Sequence, residues 1–228
     1  MKRLELQQFP VFENVSFITT GQSFTLLNLK TKGFLVADTD DKNPNHKNAF
    51  AVTTNPLMNF ACPRNLFAIE KYEKSDDTLV RYGDKICITT HNLLNDETLY
   101  LYSQLISPQS YSRFSRNQEV LVNSKRDYST CWTIECVDPT IRVSLEGAPI
   151  VSTDSFIIRH CATGRLLASD MIDYYNDYGR EFEVCCFNFM STNKYQTLIS
   201  EKSGSLKIDT KTKVELEQNI WMAVDNLS

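Results

Sequence analysis

Apolar and polar residues alternate along most of this chain in short runs. Nowhere does a long segment place apolar residues at i, i+3, i+4 and i+7. A period of two sends successive side chains to opposite faces of a strand, so the pattern predicts an all-β protein with few and short helices. The runs also repeat. Three segments align through four successive strands each. The first strand reads GQSFTLLN (21–28), GDKICITT (83–90) and TDSFIIRH (153–160), with Phe24, Ile86 and Phe156 in register. The second reads FLVA (34–37), YLYS (100–103) and LLAS (166–169), aligning Leu35, Leu101 and Leu167. The third reads FAVTT (50–54), QEVLVN (118–123) and FEVCCF (182–187), aligning Val52, Val120 and Val184. The fourth reads LFAIE (66–70), CWTIE (131–135) and IWMAV (220–224), aligning Phe67, Trp132 and Trp221 as inward core aromatics.

Four strands repeated three times in 228 residues predict a β-trefoil: a closed six-stranded barrel capped by three hairpins, with loop insertions at the turns. The expected organisation is an N-terminal arm over 1–19 and a single domain over 20–228, with units of about 20–78, 79–145 and 146–228. First-to-fourth anchor spans of 43, 46 and 65 residues put extra sequence in the third unit.

Composition narrows the function classes. Glycine and proline stand at seven each, which excludes collagen-like and low-complexity chains. The formal charge is -4, and no block of five like charges supplies the basic stripe that displaces counterions from nucleic acid. The opening MKRLELQQFP breaks the apolar run of a signal peptide, and no stretch reaches the length of a membrane span. Seven cysteines, an odd number, then point to reduced thiols in the cytosol. No nucleic acid and no membrane are expected as partners.

Catalytic and metal motifs are weak. Cys185 and Cys186 are neighbours on a strand and point to opposite faces, as do Cys131 and Cys136. CxxC, HExxH and glycine-rich phosphate loops are absent, and His46, His91 and His160 fall in separate turns. His160 reads as a polar turn residue bonding nearby backbone, against the alternative of a His160–Cys161 catalytic dyad. The expectation is a non-enzyme with no catalytic residue, metal or cofactor. A lectin-like Gln-x-Trp signature is missing, since Gln218 stands three before Trp221.

A set of linked features resembles one family. These are Arg64-Asn65-x-Phe67-x-Ile69, RYGDKICI (81–88), LYLYS (99–103), Cys131-Trp132 with Asp138-Pro139, and Arg142 with Glu146-Gly147-x-Pro149-Ile150. IIRHCAT (157–163) and Tyr178-Gly179-x-Glu181-x-Glu183-Val184 complete the set. Together they resemble the cilia- and flagella-associated protein 161 family, and the repeated units look like MIR modules. The resemblance implies a non-catalytic microtubule inner protein in the A-tubule lumen of ciliary doublets. Its partners would be the α/β-tubulin lattice and neighbouring inner proteins, and its role would be to stabilise the axoneme. Thr20-Gly21-Gln22-Ser23 departs from the family's Tyr-Gly-Asp-like opening, which is compatible with a paralogue.

Loops on a rigid scaffold commonly carry binding, and arginine and aromatic side chains are enriched at interface anchors. Three segments offer them: Asp41 to Asn48 with Lys42 and Lys47, Tyr111 to Arg116 with Arg113, and the Asp170 to Tyr178 insertion with Tyr174, Tyr175 and Tyr178. These eight are the candidate partner contacts. The rival reading is a cytosolic module that binds carbohydrate or a lipid headgroup.

Overall fold

The structure, a computed structural model, describes residues 16–46, 48–58, 60–92, 94–95, 97–191, 202–204 and 214–224. The alternating runs form twelve strands among these residues. They are β1 (Ser23–Asn28), β2 (Phe34–Lys42), β3 (Ala49–Asn55), β4 (Phe67–Lys71), β5 (Lys85–Thr90) and β6 (Tyr100–Ser103). Then come β7 (Gln118–Asn123), β8 (Trp132–Cys136), β9 (Ser155–His160), β10 (Leu167–Asn176), β11 (Gly179–Cys186) and β12 (Ile220–Val224). Among the described residues, helix is confined to single 3-10 turns at Tyr128–Thr130 and Glu217–Asn219, apart from a helical position at Lys202.

Antiparallel ladders run β1–β4, β4–β5, β5–β8, β8–β9, β9–β12 and β12–β1, which closes a ring. From it extend the pairs β2–β3, β6–β7 and β10–β11. Their third strands are also bonded to one another, β3 to β7, β3 to β11 and β7 to β11.

This corrects the expected fold class. In place of a β-trefoil with a six-stranded barrel and three separate caps, all strands join one continuous 12-stranded sheet, and the molecule is a closed antiparallel β-barrel. The third strands supply the joining bonds: Phe182 and Glu183 pair with Thr54 and Thr53, Cys185 and Cys186 with Glu119 and Gln118, and Ala49, Phe50 and Ala51 with Asn123, Val122 and Leu121. A repeated pattern sets where strands start and which face is apolar, whereas bonding between strands far apart in sequence is decided by long-range geometry.

The Asp170 to Tyr178 insertion differs as well. Most of it is β10, with a bulge between Ser169 and Asp173 that restores the pairing as Tyr174↔Glu181. The run Met-Ile-Asp-Tyr-Tyr has high strand propensity, and Gly179 at φ 104 supplies the left-handed turn that starts β11.

The core lies inside the ring. Phe24 is paired with Phe67, Ile86 with Trp132 and Phe156 with Trp221, and all six are at most 1% exposed. The polar atoms of both indoles are satisfied in matching ways. Trp132 Nε1 donates to the Leu101 carbonyl at 2.8 Å and Trp221 Nε1 to the Leu167 carbonyl at 3.1 Å.

Candidate functional site

The strands β3, β7 and β11 meet at one end of the barrel, and the aligned residues Val52, Val120 and Val184 come together there. Over this meeting point opens a cleft of about 290 Å³. Val52, Val120 and Val184, with Ala51 and Leu121, supply its apolar lining. Its polar lining comes from the end of β2, the two links 43–48 and 104–117, and strands β7, β10 and β11. Each link joins the second to the third strand of its unit, so the repeat itself delivers these links to the same place.

Tyr174 anchors one wall. Its hydroxyl donates to the Asp41 carboxylate, which also takes the Arg113 guanidinium at 3.4 Å. Arg113 lies 5.1 Å over the Tyr174 ring, and Phe114 meets that ring edge-on at 5.6 Å. Burial, then the neighbouring Asp41 carboxylate, push the phenol well above its ordinary range.

The 104–117 link, packed on Tyr174 through Arg113 and Phe114, supplies more of the lining. Glu183 on β11 accepts the backbone N–H groups of Phe114 at 2.7 Å and Ser115 at 2.9 Å, and the Ser112 and Ser115 hydroxyls lie 2.7 Å apart. These bonds hold Arg116 in left-handed backbone, φ 60, a conformation that costs about 1–2 kcal/mol for a side chain of this kind. The Arg116 guanidinium stacks 4.6 Å over the Tyr111 ring.

Glu119 on β7 also lines the cleft. It accepts from Asn43 Nδ2 at 2.6 Å and faces His46 Nε2 at 3.6 Å. Burial raises its carboxyl to about 7; the Asn43 hydrogen bond opposes this, the Glu183 charge adds to it and Arg113 counters. Burial lowers His46.

Beside the cleft, β11 carries a buried ion pair. Arg64 Nη2 lies 3.2 Å from Glu181 Oε1, with both side chains 0% exposed. Glu181 also accepts from Thr53, from Asn55 at 2.9 Å and from Asn176 at 2.6 Å. Tyr178 covers the guanidinium at 3.5 Å. A charge taken out of water needs such a set of partners, so this cluster ties the links before β4 to β3, β10 and β11.

Four of the eight candidate contacts, Tyr111, Arg113, Arg116 and Tyr174, therefore come together in the cleft. Lys42 and Tyr175 are exposed but do not line it. Tyr178 is taken up by Arg64, and Lys47 lies outside the described residues. Sequence reasoning missed Asn43, Glu119 and Glu183. The readable signal was a glutamate directly before the aligned valine on two of the three third strands, Glu119-Val120 and Glu183-Val184.

His160 is buried, with Nε2 donating to the Ser129 carbonyl at 2.9 Å and Nδ1 facing the Thr163 hydroxyl at 2.9 Å. It is a packed, hydrogen-bonded group against Trp132, ring centroids 4.8 Å apart. All seven cysteines are free. Burial raises the Cys161 thiol and pushes Cys185 up to about 12, which leaves both as weakly nucleophilic thiols. Among the described residues no group of three His, Cys, Asp or Glu is placed to hold a metal ion, and no helix is long and apolar enough to cross a membrane.

Comparison with known proteins agrees with the motif set. The chain is 31% identical over 136 residues to cilia- and flagella-associated protein 161 of Danio rerio, covering 58% of this chain and 44% of that protein. It is 29% identical over 119 residues to the Mus musculus protein of the same name, covering 52% and 39%. The aligned part is thus less than half the length of either relative. Among solved structures, the SDF2-like protein of Arabidopsis thaliana superposes with a TM-score of 0.62 at 19% identity, covering 92% of this chain and 96% of that one. The S. cerevisiae protein O-mannosyltransferase Pmt1-Pmt2 complex bound to the sugar donor gives 0.65 at 17%, covering 92% and 25%. At these identities the structural likeness shows the fold alone. A sequence model of the cilia- and flagella-associated protein 161-like domain matches residues 45–199, more than half of the chain, and takes in the Arg64–Glu181 cluster and the cleft apart from Asp41, Asn43 and Pro44. The chain belongs to the cilia- and flagella-associated protein 161-like family.

Proposed function

We propose that the chain is a non-catalytic structural protein of the axoneme that binds tubulin in the A-tubule lumen of ciliary doublets and stabilises the lattice beside neighbouring inner proteins. Membership of a family named for association with cilia and flagella supports the cilium as its place. The observation that carries the reading is the convergence of Tyr111, Arg113, Arg116 and Tyr174 in one cleft on a closed barrel. Arginine and tyrosine side chains on a rigid frame lose little conformational freedom on docking and are the residue types enriched at interface anchors. The barrel strands serve as scaffold, and the links between second and third strands carry the contact.

Fractionation tests the location. Isolated cilia are split into membrane-matrix, salt-extracted and doublet fractions, and the chain is quantified in each by mass spectrometry. Retention with salt-washed doublets is the expected result. Recovery in the membrane-matrix fraction rejects the proposal.

A further inference from the structure

The cleft holds five charged side chains, and their partners are unevenly distributed. The carboxylates are provided for: Asp41 by the Tyr174 hydroxyl and Arg113, Glu183 by two backbone N–H groups, and Glu119 by Asn43. The cations are not. Arg113 shares a single long contact of 3.4 Å with Asp41 and is exposed. Among the described residues, Arg116 stacks on the Tyr111 ring and has no carboxylate within ion-pair range. A guanidinium carries five N–H donors in a planar fork that matches a carboxylate, and stacking on a ring holds that fork in place while leaving its edge open.

The apolar lining extends the specification. Val52, Val120, Val184 and Leu121 give the interior of the cleft an aliphatic surface beneath the arginine edge. At about 290 Å³ the space lies at the low end of small-ligand pockets, a size for one or two side chains. A short aliphatic stem ending in an anion complements both features.

We infer that the cleft seats an acidic side chain of the docked partner polypeptide, its carboxylate held by Arg116 with Arg113 and its methylenes against the three valines. The inference deepens the docking reading and rests on it for the partner's identity, whereas the seat follows from the cleft. It also carries a pH signature. Glu119 repels an incoming carboxylate only while ionised, and burial has raised its carboxyl to about 7. The groups facing it are Asn43 and His46 from the 43–48 link, Arg113 from the 104–117 link, Glu183 from β11 and Tyr102 from β6. As pH falls through 7, Glu119 takes up a proton, the repulsion ends and the seat tightens. His46, lowered by burial, gains charge only further down.

The test uses the full chain and three capped pentapeptides, Gly-Leu-X-Leu-Gly with X as Glu, Gln or Lys, titrated by amide NMR. Expected are shifts at Asn43, Tyr111 to Arg116 and Glu119 with the Glu peptide, and binding at least about fivefold weaker with Gln. Arg116→Asn is the informative variant, because asparagine tolerates left-handed backbone; it should weaken the Glu peptide by about fivefold or more with the spectrum still dispersed. Lowering pH from about 7.5 to 6.0 should tighten binding about threefold, and Glu119→Gln should abolish that dependence. Equal binding of the Gln or Lys peptide, shifts elsewhere, or an unaffected Arg116→Asn would overturn the inference. If the Glu peptide binds as described while the chain washes out of cilia with the matrix, the seat stands and the doublet reading falls. If the chain stays on doublets and the Glu peptide leaves the cleft amides unmoved, the seat is rejected and the doublet reading stands.

Discussion

The interior of the ring and the end where β3, β7 and β11 meet are built from opposite materials. Inside the ring, Phe67, Trp132 and Trp221 pack against Phe24, Ile86 and Phe156, and the only polar side-chain atoms among these six are two indole nitrogens, each bonded to a leucine carbonyl. At the other end, Arg64 and Glu181 are fully buried, and Glu119 and Glu183 sit beside Arg113 and Arg116. The first region is held by shape and apolar area. The second is held by complementarity, where each buried carboxylate is tolerated because a named partner is present. On the proposed reading, stability and docking are therefore separable, because the packed apolar interior lies away from the arginines of the cleft.

Two substitutions give the largest expected effects and break the comparison most directly. Trp132→Ala leaves a cavity inside the ring and should cost about 3–5 kcal/mol in urea unfolding. A loss under about 1 kcal/mol would remove the ring interior as the seat of stability. Glu181→Ala leaves the Arg64 charge buried without its carboxylate, for a loss of about 3–5 kcal/mol. Replacing both, Arg64→Met with Glu181→Leu, should recover most of it, since well-packed apolar pairs often match buried ion pairs. If the double variant is as unstable as the single one, the cluster contributes through its bonds to Thr53, Asn55 and Asn176 rather than through charge balance.

A smaller effect follows from Glu119. Its folded carboxyl is raised to about 7 from an ordinary value of 4.5, so between these values the folded chain binds more protons than the unfolded one. Its contribution to stability is greatest below 4.5 and is lost as pH rises through about 7. Allowing for solvent screening, the change is on the order of 1 kcal/mol. His46, lowered from 6.5, works in the other direction as pH falls, so the wild-type slope is the sum of the two. Glu119→Gln should remove the Glu119 part, measured as urea midpoints from pH 5 to 8. An unchanged profile would mean that the carboxyl titrates elsewhere. The smallest stability effect belongs to the cleft arginines. Arg113→Ala with Arg116→Asn should shift unfolding by no more than about 0.5 kcal/mol, because both arginines are exposed and the one ion pair between them and a carboxylate is long.

The ring interior was legible because a strand alternates faces: the pairs Phe24–Phe67, Ile86–Trp132 and Phe156–Trp221 were aligned in sequence as first and fourth anchors. The fold class was not, because periodicity carries no information about whether β3, β7 and β11 bond to one another. The cleft was half legible. Tyr111, Arg113, Arg116 and Tyr174 stand out by residue type in turns, while Glu119 and Glu183 read as ordinary strand positions and gain meaning only from Asn43 and from the Phe114 and Ser115 N–H groups, far away in sequence. The contact of Tyr178 with Arg64 was hidden for the same reason, since Arg64 lies 114 residues earlier.

Stepwise salt extraction of ciliary doublets carrying wild-type chain or the Tyr111→Ala, Arg113→Ala, Arg116→Asn variant tests the central claim most directly. The account predicts that the variant leaves the doublets at lower salt than wild type while its melting temperature stays within about 2 °C, because the groups removed belong to the cleft and not to the packed interior. Release of both at the same salt, with the variant folded, would contradict it.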